Sequence, residues 1–108
     1  MSSSVKIVQP SGILDSISAN QLRREISDFV ENGADIILVD FQDVTFMNSS
    51  GLGALVSAMR MVQSAGGKLF ICSVNDQVKM ILELTKMNRV FKPFDNRDEF
   101  EQKVTAIG

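Results

Sequence analysis

Four apolar residues in unbroken succession, Ile36-Ile37-Leu38-Val39, constrain the fold of this chain more than any other feature. A strand with one wet face alternates apolar and polar positions, so an uninterrupted run marks a strand covered on both sides. Such strands belong to parallel or mixed sheets with helices packed on them. The segment Lys68-Leu69-Phe70-Ile71-Cys72-Ser73-Val74 reads as a second buried strand.

The elements around these strands alternate in period. Val5-Lys6-Ile7-Val8 predicts a strand, Pro10-Ser11-Gly12 a turn and Ile13-Leu14 a short return strand, together an N-terminal edge hairpin. Ser18 with Gln21 has capping-box spacing and opens a helix whose apolar positions are Ala19, Leu22, Ile26, Phe29 and Val30, stopped by Asn32-Gly33. Val44-Thr45-Phe46-Met47 is extended, and a second helix follows Asn48-Ser49-Ser50-Gly51, runs to about Ala65 and stops at Gly66-Gly67. Asn75 caps a third helix reaching about Met87, and Val90-Phe91 begins a last strand that Pro93 confines to the sheet edge. Asn96 and Glu99 repeat the capping-box spacing ahead of a terminal helix with Phe100, Val104 and Ile107 on its apolar side. The expected fold class is α/β: a mixed, mostly parallel sheet with an N-terminal edge hairpin and about four helices. Whether the helices lie on one face or both stays open at this level. At 108 residues the expectation is a single domain spanning 1–108, because a second compact core would have no material left.

Composition then removes function classes. The chain has no His, Trp or Tyr and one cysteine, Cys72. Imidazole-based catalysis, the Ser-His-Asp triad, disulfide frameworks and multi-thiolate metal or iron–sulfur sites are therefore excluded, and no cofactor motif is present. A net charge of −2 with scattered Lys and Arg argues against nucleic acid as a partner. The N-terminus lacks a basic region followed by an apolar core, and no stretch approaches the roughly 20 apolar residues of a spanning helix. The expectation is a cytoplasmic, non-inserting protein that is not an enzyme. Asp15, Asp40 and Asp43 lack a base, metal set or cofactor motif beside them and read as turn and loop residues. Cys72, inside an apolar strand, reads as a buried thiol.

Asn48-Ser49-Ser50-Gly51-Leu52-Gly53 falls at a strand-to-helix junction, and two readings fit it. Asn and Ser are good caps and glycine permits close packing. Equally, unpaired N–H groups at a helix start favour a phosphate. Neither GxGxxG nor GxxxxGK[ST] occurs, so a bound nucleotide is poorly supported. A covalent phosphate on Ser49 or Ser50 needs only an exposed hydroxyl and neighbouring N–H groups from Asn48, Ser50 and Gly51. The second and third helices also carry apolar residues beyond the core stripe: Ala54, Ala58 and Met61 on one, Met80, Leu84 and Met87 on the other. Burial under the chain's own loops and a partner-docking surface both account for this excess.

The stretch Val44-Thr45-Phe46-Met47-Asn48-Ser49-Ser50-Gly51-Leu52-Gly53, with Gly12-Ile13-Leu14-Asp15 and Gly66-Gly67-Lys68-Leu69, resembles the STAS domain family, specifically the bacterial anti-sigma factor antagonists. The similarity runs from about Val5 to Val104. It implies a partner-switching protein in transcription regulation and stress signalling. Such a protein binds an anti-sigma factor that is also a serine kinase, releases it once phosphorylated, and is reset by a PP2C-type phosphatase. Carried over by register, the phosphoacceptor is Ser49, with Ser50 second. Asn48 stands where the family commonly has Asp, which removes one negative charge beside the hydroxyl. The alternative implied by the family is a non-switching STAS scaffold or small-ligand-binding subunit of a larger complex. Self-association is compatible with either.

Overall fold

The computed structural model describes residues 5–105. Five strands and four α-helices follow in the order β1 (Val5–Val8), β2 (Ser11–Leu14), α1 (Ser16–Glu31), β3 (Ile36–Asp40), β4 (Asp43–Met47), α2 (Ser49–Ser64), β5 (Lys68–Cys72), α3 (Asp76–Leu84) and α4 (Arg97–Phe100). A 3₁₀ turn occupies Met87–Arg89, and α4 continues into a π-helical turn, Glu101–Thr105. The α/β class expected from the buried runs is the one observed.

β1, β3 and β5 form a three-stranded sheet in the order β1-β3-β5, and β2 pairs with β4 in a second, two-stranded sheet. Every pairing among the described strands is parallel. The expected N-terminal edge hairpin is therefore absent: β1 lies along β3, and β2 lies along β4. Gln9-Pro10 and Phe41-Gln42 interrupt the two strand tracks at the same level. Pro10 has no N–H to give to a ladder, Gly12 takes φ +75, and the β2–β4 register shifts between Gly12 and Ile13. The chain thus steps from one sheet into the next instead of turning back.

Helices cover both faces. Ile37, Val39, Leu69 and Ile71 point into the larger core with Leu22 and Ile26 of α1, Leu55 and Val62 of α2, and Val78 and Leu82 of α3. Leu38 and Cys72 point the other way, into a smaller cluster with Phe100. There Phe70, Phe94 and Phe100 stand with ring centroids 5.6–5.9 Å apart in tilted and edge-on arrangements, the geometry aromatic quadrupoles favour. The alternation of side-chain direction along β3 and β5 is what makes both faces apolar.

Several boundaries differ from the sequence expectation. Asp15, not Ser18, caps α1: its carboxylate accepts from Ile17 N at 3.1 Å and Ser18 N at 3.0 Å, and Ser18 Oγ accepts from Asp15 N at 3.0 Å. The capping box exists one turn earlier, with Ser18 at its far end. α3 stops at Leu84, because Lys86 turns left-handed with φ 61. The last strand shrinks to a single parallel bridge between Phe94 and Cys72. Residues 87–89 spend their backbone on a 3₁₀ turn, and Pro93 cannot donate. Ile107 lies outside the described residues.

Candidate functional site

The junction between β4 and α2 is pinned from three sides. Asn48 caps the helix through Oδ1, which accepts from Gly51 N at 2.8 Å. Its own N–H donates to Leu14 O at 3.2 Å, tying the helix start to the end of β2. Gly51 makes that approach feasible, since a Cβ there would sit 2.1 Å from Leu14 O. From the third side, Gln77 of α3 clamps the residue before the cap: Met47 N donates to its Oε1 at 2.8 Å, and its Nε2 donates to Met47 O at 2.9 Å. Asn75, while capping α3, donates to Val44 O at 3.1 Å and Thr45 O at 3.2 Å. Side-chain amides thus satisfy backbone groups of β4.

On this rigid base Ser49 and Ser50 are exposed, and no hydrogen bond is recorded for either hydroxyl among the described residues. Gly53, one turn beyond Ser49 on the same helix face, is exposed and has nothing within 4 Å of where a Cβ would stand. The first turn of α2 therefore presents a hydroxyl with no larger side chain on the next turn to screen it. Of the three N–H groups expected to flank a phosphate, two are engaged already, that of Asn48 by Leu14 O and that of Gly51 by Asn48 Oδ1, because the strand contact and the cap use them. The partial positive charge of the helix start still suits an added anion.

An exposed apolar patch adjoins the serines. Ile13 and Phe46 are register partners across β2 and β4, and they are 57% and 45% exposed. Ile17, in the first turn of α1, is also exposed. Sequence reasoning missed this surface because it needs the parallel β2–β4 pairing. It also missed Gln77, whose position carries no local signal.

A profile of the STAS domain family matches residues 2–100. The chain belongs to the STAS domain family. Among relatives of this STAS domain, an anti-sigma F factor antagonist of Paenibacillus polymyxa is 27% identical over 93 residues, covering 85% of this chain and 80% of the relative. An anti-sigma-B factor antagonist of Bacillus subtilis is 30% identical over 83 residues, covering 77% and 75%. A crystal structure of a candidate anti-sigma factor antagonist from Thermotoga maritima superposes with a TM-score of 0.85 at 28% identity, covering 94% of this chain and 87% of that one.

In this STAS domain the apolar margins of α2 and α3 have different fates. Ala58 is buried, 1% exposed, which removes it from any docking surface. Ala54 and Met61 are half-buried against the core, as is Met87. The breadth of the apolar arc on α2 answers to packing on both the sheet and α1. Met80 and Leu84 of α3 stay exposed, at 52% and 75%.

The carboxylates named from sequence are held in structural roles. Asp15 caps α1, and Ser18, through its backbone N–H first and its hydroxyl second, holds the Asp15 pKa below the usual carboxylate value. Asp40, fully buried at the end of β3, accepts from Arg97 Nε at 2.6 Å and from Gln42 N at 2.9 Å. Arg97 also donates to Gln9 Oε1 at 2.5 Å, and Gln9 in turn donates to Asp43 at 2.8 Å. Burial pushes the Cys72 thiol pKa up, the opposite of what a nucleophilic thiol needs.

Proposed function

We propose that this STAS domain is an anti-sigma factor antagonist whose hold on its partner is switched by phosphorylation of Ser49. The observation that carries the reading is the exposed, unscreened Ser49 hydroxyl on the pinned start of α2. The partner is an anti-sigma factor with serine kinase activity, a PP2C-type phosphatase resets the switch, and the setting is the cytoplasm. The contact face comprises Ser49, Ser50 and Gly53 with the adjoining Ile13 and Phe46, and Met80 and Leu84 at its margin.

The physics of release is local. A phosphate adds about −1.5 to −2 charges at Ser49. Against one acidic group of the partner about 6 Å away, an effective dielectric near 20 gives on the order of 3 kcal/mol per charge pair, roughly a hundredfold in affinity. The favourable helix-dipole interaction, up to about 2 kcal/mol, is shared by free and bound states and does not offset this. Asn48 keeps the cap while leaving the phosphate without an acidic neighbour at that position.

Intact-mass measurement after incubation with ATP and anti-sigma kinases of the source cell should give one added phosphate, mapped to Ser49 and lost in Ser49→Ala. Kinase binding should weaken by about a hundredfold on phosphorylation. Equal affinity of the phosphorylated and unmodified forms would overturn the electrostatic switch. Phosphate mapped to Ser50 would move the site.

A further inference from the structure

β5 is the outer strand of its sheet, and its open edge is capped at one end only. Phe94 N donates to Ile71 O at 3.0 Å, and Ser73 N donates to Phe94 O at 3.1 Å. On the opposite side Lys68 N donates to Asp35 O and Cys72 O accepts from Phe41 N. Successive residues of a strand turn their backbone groups to alternate sides. Leu69 therefore faces outward with Ile71. Among the described residues, the Leu69 N–H and C=O and the Ile71 N–H have no backbone partner on that side. An outer strand leaves such groups free for a further strand to pair with, and Leu69 and Ile71 border a groove where one could lie.

The segment that could have paired there stands off. Residues 90–92 and the edge of β5 enclose a groove of about 420 Å³. Met59 and Gln63 of α2 with Phe91 line it on one side of the sheet plane, and Phe70 and Phe94 on the other. Lys68 and Lys92 are exposed on its rim, and no carboxylate lines it. An incoming strand would meet apolar walls on both faces and two ammonium groups of one sign.

We propose that this groove binds an extended segment of a partner protein by strand addition to β5, with apolar residues at successive positions and acidic residues flanking them. Main-chain hydrogen bonds to Leu69 and Ile71 supply the anchor, and the apolar walls and Lys68 and Lys92 supply the selectivity. A second copy of this chain is disfavoured as occupant, because edge-to-edge pairing would bring the lysines of both copies to one seam. An aliphatic carboxylate satisfies the lysines and leaves the edge groups unpaired. Met59 and Gln63 lie roughly 15–20 Å along α2 from Ser49. The site is separate from the phosphorylation site and does not depend on that reading.

Panning a displayed hexapeptide library on the full chain should enrich apolar peptides with flanking Asp or Glu. Titrated as synthetic peptides into the ¹⁵N-labelled protein, these should shift the Leu69, Ile71 and Lys92 amides and slow hydrogen exchange at Leu69 and Ile71. N-methylation of the peptide amide that faces the edge should abolish binding. The Lys68→Glu/Lys92→Glu variant, altered only at exposed positions, should unfold at the wild-type temperature and bind about tenfold more weakly at low salt. Ser49→Ala and Ser49→Asp should bind the peptides as wild type does, which separates this site from the switch. No enriched peptide, or shifts that map to Ile13 and Phe46, would overturn the proposal. So would decanoate competing fully while N-methylation has no effect, or concentration-dependent self-association through the same amides.

Discussion

Gly51 and Gly53 share one helical turn and answer to opposite constraints. A Cβ on Gly51 meets backbone atoms of Leu14 at 2.1 and 2.8 Å, whereas one on Gly53 meets nothing within 4 Å. Gly51→Ala should therefore cost about 1–3 kcal/mol, or more, by forcing β2 and α2 apart, while Gly53→Ala should stabilise by about 0.5–1 kcal/mol through helix propensity. Urea denaturation of the two variants checks this, and equal effects would refute the packing assignment. If the small first turn serves access to Ser49, Gly53→Leu should fold normally and slow phosphorylation. Asp15 gives a pH-dependent counterpart. Its folded pKa is lowered by the bonds from Ser18 and Ile17, so its contribution is fully present above the ordinary Asp value of about 3.9 and is lost as pH falls through the lower folded value. The stability gap between wild type and Asp15→Ala should narrow below about pH 4 in urea titrations. A gap constant down to pH 2 would assign the stabilisation to something other than the carboxylate.

At the scale of elements, what was legible depended on whether the signal was local. Asn75 and Asn96 cap α3 and α4 as their sequence contexts predict, and of the Asn and Ser residues that could cap α2 it is Asn48 that does, because a cap is a bond between residues three apart. Continuous apolar runs correctly marked β3 and β5. Pairing was not legible: a β1–Pro10–β2 segment looks like a hairpin locally, and only the competition of β3 and β4 for the same edges makes it two parallel strands. The wide apolar arc of α2 was equally ambiguous, since a helix packed on both a sheet and a second helix has the same pattern as one with a free docking face. Ala58 of α2 falls on a packed side, whereas Met80 and Leu84 of α3 fall on a free one. α4 is joined to this framework by Arg97, whose partner Asp40 is fully buried. Arg97→Ala should cost about 1–3 kcal/mol by leaving one Asp40 oxygen without its charged donor. It should also speed amide exchange in residues 97–104 ahead of the rest of the chain. Uniform exchange would show that the ion pair does not hold this element.

For the whole molecule, two neighbourhoods with different chemistry lie toward opposite ends of α2. The end of β4 and start of α2 carry an exposed serine beside an exposed apolar patch, and the far half of α2 borders the open edge of β5. The sequence by itself determined the α/β class, the buried strands, the capped helix starts and the serine at a helix N-terminus. Each of these follows from side-chain period or from bonds between near neighbours. Tertiary structure decided the strand partners, the placement of helices on both faces, the Ile13–Phe46 patch, the Gln77 clamp and the unpaired edge of β5. Those depend on which distant backbones meet, and loop closure and core packing settle that only when the whole chain is assembled.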